Sequence, residues 1–231
     1  MLAAKDKLIV ALDTHNMDQV DYILSELNGI VNFYKIGTEL VYNGAGLALA
    51  ERLIKCNIKV FMDLKLLDIE TTVQNATAEI ANLGATFLTV HGYPRALEAA
   101  VRGVNGSDLQ ILAVSVLTSY NDRDLRNAGY LTDVNTLVIN RTKQAKELGV
   151  GGVVLSPLEV PLVRLMGNSN FAFVTPGVRL PDGIANDQKR IATPKQAIDS
   201  GADYIVVGRP ILQSDNPREV VTNILNNIKG E

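Results

Sequence analysis

The chain has 231 residues, 47% of them hydrophobic, which is enough for one domain, residues 1–231, with a sizeable core. Its formal net charge is −3 with both signs interspersed, which excludes a basic surface of the kind that binds nucleic acid. Residues 1–7 lack signal-peptide character and no run has the length of a membrane span, so we expect a cytoplasmic protein without a membrane partner.

Short runs rich in apolar and β-branched residues recur along the chain, with helical patterns between them. This alternation predicts parallel strands joined by crossover helices, and eight such strands close into an α/β single-domain (β/α)8 (TIM) barrel. A doubly wound open sheet is disfavoured because residues 13–17, after the first strand, do not resemble a glycine-rich phosphate turn. The predicted strands are Leu8–Asp13, Phe33–Gly37, Val60–Lys65, Thr86–His91, Leu109–Leu117, Gly152–Ser156, Phe171–Val178 and Tyr204–Gly208.

Helix start signals lie between the predicted strands. Asn16 opens a helix over Met17–Leu27, and Thr193 and Asn216 each precede a proline that suits the first helical position. The only cysteine, Cys56, stands at the end of another apolar helical pattern. We therefore expect a reduced, buried thiol there, in a protein without an intramolecular disulfide.

Charged residues gather where the first three predicted strands end. Asp13 ends the first strand, Lys35 lies near the end of the second, and Asp63 and Lys65 close the third. The last two are two positions apart, so they point the same way, into the barrel mouth if their apolar neighbours face the helices. A structural ion pair is the alternative, but with Asp68 the charges outnumber what packing requires, which favours a functional site.

The loops after the seventh and eighth predicted strands, Thr175–Arg179 and Gly208–Pro210, each combine glycine with arginine. Glycine lets backbone N–H groups approach an anion and arginine supplies forked donors, so the pair of loops predicts a phosphate site. A solvated arginine is the alternative for either loop taken alone. Two longer loops at the same end, Ser119–Asp133 and Arg179–Arg190, are candidate lids.

Residues 63–68, Asp-Leu-Lys-Leu-Leu-Asp, match the Asp-x-Lys-x-x-Asp signature, and through them the chain resembles the orotidine 5′-phosphate decarboxylase family. The resemblance implies a carboxy-lyase that acts on a small-molecule substrate, orotidine 5′-monophosphate, and yields UMP and CO2 in de novo pyrimidine biosynthesis. No metal and no organic cofactor is implied. Further segments that match the bacterial form in order are Ala11–Asp13, Lys35–Gly37, Val116–Ser119, Thr175–Arg179, Asp187–Gln188 and Gly208–Pro210.

The resemblance implies that Lys65 protonates C6 of the product within a charge network that includes Lys35, Asp63 and Asp68. Loss of CO2 leaves a vinylic carbanion that no ring carbonyl can conjugate in the ordinary way, and an ammonium group can stabilise that charge and deliver the proton. In the family, the counterparts of Asp68 and Thr72 reach into the neighbouring subunit's site. This implies a homodimer with shared active sites.

The resemblance also implies how the substrate is held. Asp13 and Lys35 would meet the ribose, and Thr118 would touch the pyrimidine. The phosphate would be held by Arg179, Gln188, Gly208 and Arg209. The complete set of implied substrate-binding residues is Asp13, Lys35, Asp63, Asp68, Thr72, Thr118, Arg179, Gln188, Gly208 and Arg209.

One segment departs from the family pattern. Residues 70–72, Glu-Thr-Thr, stand where the family usually has proline or glycine followed by Asn-Thr. Glu70 lies at a predicted helix start, where its charge is favourable against the helix dipole, so we interpret it as a local variation. His91, at a strand end, is interpreted as hydrogen-bonded scaffold and His15 as solvated, and neither is assigned to the site.

Two other functions remain open on the sequence. The 3-keto-gulonate 6-phosphate decarboxylases and hexulose phosphate synthases share the signature, but they carry a glutamate in place of Lys35 that helps to hold Mg²⁺, which a lysine would repel. A non-catalytic barrel that binds a phosphorylated metabolite is the second alternative, and intact Asp63 and Lys65 argue against it.

Overall fold

The computed structural model describes residues 2–166, 170–179 and 192–230. Parallel strands pair in chain order from β1 to β8, and β8 pairs with β1, which closes the predicted eight-stranded barrel. Each predicted run coincides with a strand to within a few residues. The strands are β1 Leu8–Ala11, β2 Phe33–Gly37, β3 Lys59–Leu66, β4 Phe87–His91, β5 Gln110–Val114, β6 Gly152–Val154, β7 Ala172–Thr175 and β8 Tyr204–Val207.

Helices connect the strands and surround the barrel. In the described part of the chain, none has the length and hydropathy that crossing a membrane requires. The α-helices are α1 Ala4–Lys7, α2 Met17–Glu26, α3 Thr38–Tyr42, α4 Gly46–Lys55, α5 Glu70–Leu83, α6 Pro94–Val104, α7 Asp122–Asn127, α8 Val134–Glu147, α9 Val160–Val163, α10 Pro194–Asp199, α11 Arg209–Leu212 and α12 Pro217–Lys229, and a 3₁₀ helix follows α9 at Arg164–Met166.

The predicted helix starts are confirmed by their caps. The side chain of Asn16 accepts hydrogen bonds from the backbone N–H groups at the start of α2. Thr193 caps α10 in a capping box with Gln196, and Asn216 accepts from Glu219 N–H at the start of α12. These side chains satisfy backbone donors that have no partner within the helix, so the helices begin where the sequence predicts.

Two apolar layers hold the fold together. Alternate strand residues face outward and pack with the helices, whereas the others face the barrel interior. The first residues of three strands, Phe33, Phe87 and Tyr204, bring their rings to within 5.3–5.9 Å of one another, and Phe61 packs edge-on against Phe87. Aromatic rings therefore fill the N-terminal part of the barrel, and the C-terminal end is left for polar groups.

The expectation of a buried Cys56 is wrong, because this thiol is exposed. Helix α4 buries Leu49, Ala50 and Leu53 but ends at Lys55, before its buried face could continue. Cys56 is the C-cap, and the chain then turns through Asn57 with a positive φ of 58°. The buried face of α4 therefore ends at Leu53, about one helical turn before Cys56.

Candidate active site

A cavity of about 460 Å³ opens at the C-terminal end of the barrel, where active sites of this fold lie. Strand ends and the loops that follow them form its wall. The predicted site residues that line it are Asp13, Lys35, Asp63, Lys65, Thr118, Arg179, Gly208 and Arg209. The other lining residues are Ala11, Glu39, Phe61, Val114, Val116, Leu117, Ser119, Val154, Pro176, Gly177 and Val206.

The charge cluster, our name for Asp13, Lys35, Asp63 and Lys65, is an alternating chain of ion pairs. Lys35 Nζ lies 2.7 Å from Asp13 Oδ1 and 3.2 Å from Asp63 Oδ2. Lys65 Nζ lies 2.8 Å from the other oxygen of the same carboxylate, Asp63 Oδ1. Each charge thus contacts an opposite charge, which offsets the cost of removing it from water.

These ion pairs keep the buried members of the charge cluster ionised. Burial alone raises the pKa of Asp63, but the charges of Lys35 and Lys65 outweigh it and lower that pKa to about 2. Burial alone lowers the pKa of Lys35, whose side chain is 8% exposed, but the charges of Asp63 and Asp13 outweigh it and raise that pKa above its usual value. Both side chains therefore stay charged throughout the neutral pH range.

Strand β3 is irregular where it carries Asp63 and Lys65. Its pairing with β4 shifts register between Met62 and Leu66, and Lys65 has a φ of 48°. Such a left-handed conformation costs a residue with a Cβ about 1–2 kcal/mol. The hydroxyl of Thr89 in β4 accepts a hydrogen bond from Lys65 N–H at 3.0 Å and donates one to Asp63 Oδ1 at 2.8 Å. Asp63 and Lys65 both line the cavity, whereas Met62 and Leu64 pack in the outer layer, as strand alternation predicts.

Gly37, the last residue of β2, makes room for the pair between Asp13 and Lys35. A Cβ at this position would lie 2.9 Å from Asp13 Oδ1 and 3.3 Å from Lys35 Nζ. The φ of Gly37 is −96°, which any residue can adopt, so space and not backbone conformation requires glycine here. The sequence motif contained this glycine, but its role depends on a contact that only the folded barrel creates.

The Gly–Arg loops, Thr175–Arg179 and Gly208–Pro210, contribute to the same cavity. Arg179 is buried, and α11 begins at Arg209 directly after Gly208. Arg179 and Arg209 thus line the cavity beyond the ends of β7 and β8, while Lys35, Asp63 and Lys65 lie on β2 and β3 and Asp13 follows β1 by two residues. The two groups of residues that the sequence predicted separately share one site.

The loop after β5 also contributes a predicted residue. Thr118 is buried in the cavity wall, and the next residue, Ser119, lines the cavity as well. Ser119 is the first residue of the predicted lid over residues 119–133, which contains α7. Each of these two residues has a hydroxyl group, which can both donate and accept a hydrogen bond with a polar group of a ligand in the cavity.

Three predicted site residues are not placed at this cavity. Asp68 and Thr72 are exposed and are not among the described lining residues, and Asp68 Oδ1 accepts a hydrogen bond from Ile69 N–H at 2.7 Å. Gln188 lies outside the described residues, as does most of the predicted lid Arg179–Arg190. Within one chain, Asp68 is therefore not part of the charge cluster.

Sequence reasoning missed one acidic residue of the cavity. Glu39 lies in the first turn of α3 and lines the cavity, and its side chain is half exposed. Its position directly after β2, at the carboxyl end of a barrel strand, is the signal that could have identified it. His15, expected to be solvated, is exposed and lies 3.4 Å from Glu39 through Nδ1 and Oε1.

His91 ends β4 near the charge cluster but is not among the described lining residues. Burial, together with the positive charges of Arg141 and Lys65, lowers its pKa. The imidazole is therefore neutral at neutral pH. This agrees with its interpretation as scaffold rather than as a cationic catalytic group.

The matches to known proteins cover all of the site residues named above. Residues 6–224 match the family model described as Orotidine 5′-phosphate decarboxylase / HUMPS family. Relatives named orotidine 5′-phosphate decarboxylase from Bradyrhizobium sp. (strain BTAi1) and Rhodopseudomonas palustris (strain BisA53) are each 48% identical over 227 residues, covering 98% of this chain and 93% and 96% of their own. The crystal structure of orotidine 5′-phosphate decarboxylase from Lactobacillus acidophilus matches with a TM-score of 0.82 and 38% identity, covering 95% of this chain and 97% of that chain.

Proposed function

The chain belongs to the orotidine 5′-phosphate decarboxylase / HUMPS family, and on this premise we propose that it converts orotidine 5′-monophosphate to UMP and CO2 in de novo pyrimidine biosynthesis. The observation that carries the proposal is the contact of Asp63 with both Lys35 and Lys65 inside the cavity. A carboxylate flanked by two ammonium groups is preorganised for a reaction in which negative charge moves and a proton is delivered.

Lys35 distinguishes this function from the sugar-phosphate activities that share the Asp-x-Lys-x-x-Asp signature. Those activities need a carboxylate at this position to help hold Mg²⁺. Here the Lys35 ammonium lies between the carboxylates of Asp13 and Asp63, at 2.7 and 3.2 Å. A positive charge already occupies the space between these carboxylates, which opposes the approach of a divalent cation.

The proposed chemistry uses Lys65 as the proton donor. The bond from C6 to the carboxylate breaks, CO2 leaves, and the electron pair stays on C6. The Lys65 ammonium stabilises this charge and then transfers a proton to C6, after which the neutral amine takes up a proton from water. Asp63, 2.8 Å from Lys65 Nζ, fixes the donor before the substrate arrives.

The remaining predicted residues would bind and orient the nucleotide. We assign the ribose to Asp13 and Lys35 and the pyrimidine edge to Thr118, all of which line the cavity. The phosphate is assigned to Arg179, Gln188, Gly208 and Arg209. A cavity of about 460 Å³ lies within the range of pockets that hold ligands of nucleotide size.

We also propose a homodimer in which each chain completes its partner's site with Asp68 and Thr72. Both residues are exposed, and Asp68 stands in the sequence between two exposed apolar side chains, Leu67 at 53% and Ile69 at 72%. An apolar pair beside a carboxylate suits an interface that brings the carboxylate to a neighbouring chain. An ammonium group of the charge cluster, which alternates two lysines with two aspartates, is then the expected contact of the partner's Asp68.

Mixing two inactive variants tests the shared site. In a heterodimer of Lys65→Ala and Asp68→Ala chains, one site keeps both groups and the other loses both. Random exchange should therefore restore about one quarter of the wild-type activity. Demonstrated exchange of subunits without any recovery would contradict sharing, as would a protein that is monomeric by sedimentation at assay concentrations.

We place the activity in the cytoplasm. The lone Cys56 is exposed and carries a free thiol. Free exposed thiols persist in reducing compartments, whereas secreted proteins usually pair them. This observation supports the location without bearing on the reaction.

A direct assay tests the reaction. Purified protein treated with a chelator is mixed with orotidine 5′-monophosphate, and the loss of substrate absorbance is followed. We expect turnover without added metal, and none with the Lys65→Ala variant under the same conditions. Turnover that appears only after addition of Mg²⁺, or a folded wild-type protein that leaves the substrate unchanged, would overturn the proposal.

A further inference from the structure

Thr89 in β4 contacts both residues of β3 on which the proposed chemistry depends. We propose that Thr89 is a positioning residue, whose single hydroxyl sets the geometry of the Asp63 carboxylate and of the Lys65 backbone. The inference rests on the proposed function, because it concerns the proton donor of that reaction. No motif in the sequence marked this residue.

The environment of Thr89 makes its hydroxyl an effective anchor. Phe87 packs in the inner layer of the barrel, whereas Leu88 and Val90 pack in the layer next to the helices. Since side chains alternate along a strand, Thr89 points into the barrel with Phe87. It is 0% exposed, so no bulk water competes for its hydroxyl.

The directions of the hydrogen bonds follow from the chemistry of the groups. Ionised Asp63 can only accept, so the hydroxyl proton of Thr89 goes to Asp63 Oδ1, at 2.8 Å. The backbone N–H of Lys65 can only donate, so a lone pair of the same oxygen accepts it, at 3.0 Å. One hydroxyl therefore joins the carboxylate to the backbone of the residue whose ammonium that carboxylate holds.

This link acts where β3 departs from regular structure. Lys65 has a φ of 48°, and the register with β4 shifts between Met62 and Leu66. At this bulge the Lys65 N–H donates to a side chain of the neighbouring strand. The Thr89 hydroxyl thereby supports a left-handed backbone conformation at Lys65, the proposed proton donor, which residues with a Cβ rarely adopt.

The position of Thr89 also predicts which kinetic constant it affects. Thr89 is not among the described residues that line the cavity, so it contacts the charge cluster rather than the substrate. Without its hydroxyl, Asp63 still contacts both ammonium groups, and the cavity keeps its lining. Substrate binding should therefore change little, whereas the alignment of Lys65 with the reacting carbon should suffer.

The experiment compares three variants with the wild type. Thr89→Val keeps the shape of the side chain and removes the hydroxyl, and Thr89→Ser keeps the hydroxyl. Thr142→Val is the matched control, because Thr142 in α8 is also 0% exposed and its hydroxyl has no hydrogen-bond partner among the described residues. If Thr89→Val does not fold, Thr89→Ala serves as the hydroxyl-free variant.

We expect Thr89→Val to lower kcat about 10- to 100-fold, with the KM for orotidine 5′-monophosphate and the Kd for UMP within about 3-fold of wild type. Thr89→Ser should keep kcat within about 3-fold, and Thr142→Val should keep both constants. The hydroxyl would then be the cause, because the loss follows its removal and not the change in packing.

Wild-type kcat in a folded hydroxyl-free variant would overturn the inference. So would an equal loss of kcat in Thr89→Ser, or a loss in Thr142→Val as large as that in Thr89→Val, because either would point to packing alone. These outcomes are read against an active wild-type enzyme. An inactive wild type would instead count against the proposed function itself.

Discussion

The two halves of the cavity are built in different ways. The charge cluster stands on strands β1 to β3 or directly after them, and its members are joined by ion pairs of 2.7–3.2 Å. The Gly–Arg loops follow β7 and β8 and bring glycine and arginine from outside the sheet. Groups proposed for the chemistry are thus held on strands and by one another. Arg179 and Arg209, assigned to the remote phosphate, follow β7 and β8, Arg179 as a buried residue and Arg209 as the first residue of α11.

We call the charge cluster the strand half of the cavity and the Gly–Arg loops its loop half. The largest loss of activity should come from a change in the strand half. Lys65→Ala removes the proposed proton donor, so we expect kcat to fall by at least about 10³-fold, since general acid catalysis and charge stabilisation are both lost. UMP binding, measured by calorimetry, should remain detectable because the Gly–Arg loops are untouched. Lys55→Ala is the control, because Lys55 is an exposed residue of α4 paired only on the surface with Glu51. Near-normal turnover by Lys65→Ala would remove the distinction between the two halves.

The loop half should respond in a phosphate-dependent manner. We expect Arg209→Ala to lower kcat/KM for the nucleotide about 10- to 100-fold, the value of one charge-assisted contact, and hardly to affect a truncated nucleoside without phosphate. Arg52→Ala provides a control, since Arg52 is exposed and pairs with Asp21 on the surface. Equal losses on both substrates would mean that Arg209 supports the fold or the charge cluster, and the phosphate role would have to be dropped.

Acid stability gives a third contrast, because only the strand half contains a strongly shifted carboxyl group in the described residues. The ammonium groups of Lys35 and Lys65 outweigh the effect of burial and lower the pKa of Asp63 from its ordinary value of 3.8 to about 2. A lowered folded-state pKa adds stability that is fully present above the unfolded value and is lost as the pH falls toward the folded value. Between about pH 4 and pH 2 this contribution, about 2 kcal/mol in free energy of unfolding, should disappear.

Denaturant unfolding of wild type and Asp63→Asn at a series of pH values isolates that contribution. The difference in free energy of unfolding between the two proteins should shrink as the pH falls through this window. Asp199→Asn serves as a control, because Asp199 forms only an exposed i,i+4 pair with Lys195. A difference that stays constant down to pH 2 would show that Asp63 is not stabilised as a carboxylate.

Local sequence patterns predicted the barrel and most of the charged residues of the cavity, and the family resemblance added Thr118. Apolar runs predict the strands of the closed sheet. Charged or glycine-rich residues at the ends of these strands predict which side chains line the cavity at the C-terminal end of the barrel. Contacts across strands left no such pattern. Thr89 reads as one more β-branched strand residue, and its two bonds depend on a bulge in the neighbouring strand. Cys56 was misjudged because an apolar residue past a helix end looks like part of its buried face.

Gly37 shows the same dependence on tertiary contact and leads to the smallest expected change. Gly37→Ala would place a methyl group 2.9 Å from Asp13 Oδ1, an oxygen held 2.7 Å from Lys35 Nζ, so the pair must shift by several tenths of an ångström. We expect kcat/KM to fall about 10-fold on the nucleotide and on the truncated nucleoside alike, because the disturbed group lies in the strand half.

Gly29→Ala separates this local effect from a general loss of stability. Gly29 has a φ of 79° and open space around its Cβ position, so alanine there strains the backbone without contacting the charge cluster. Gly29→Ala should lower Tm and leave kcat/KM unchanged, whereas Gly37→Ala should lower kcat/KM and leave Tm nearly unchanged. If Gly37→Ala instead lost activity only on the phosphorylated substrate, the two halves would be coupled through the pair of Asp13 and Lys35. The assignment of catalysis to the charge cluster and of phosphate binding to the Gly–Arg loops, as separate functions, would then have to be abandoned.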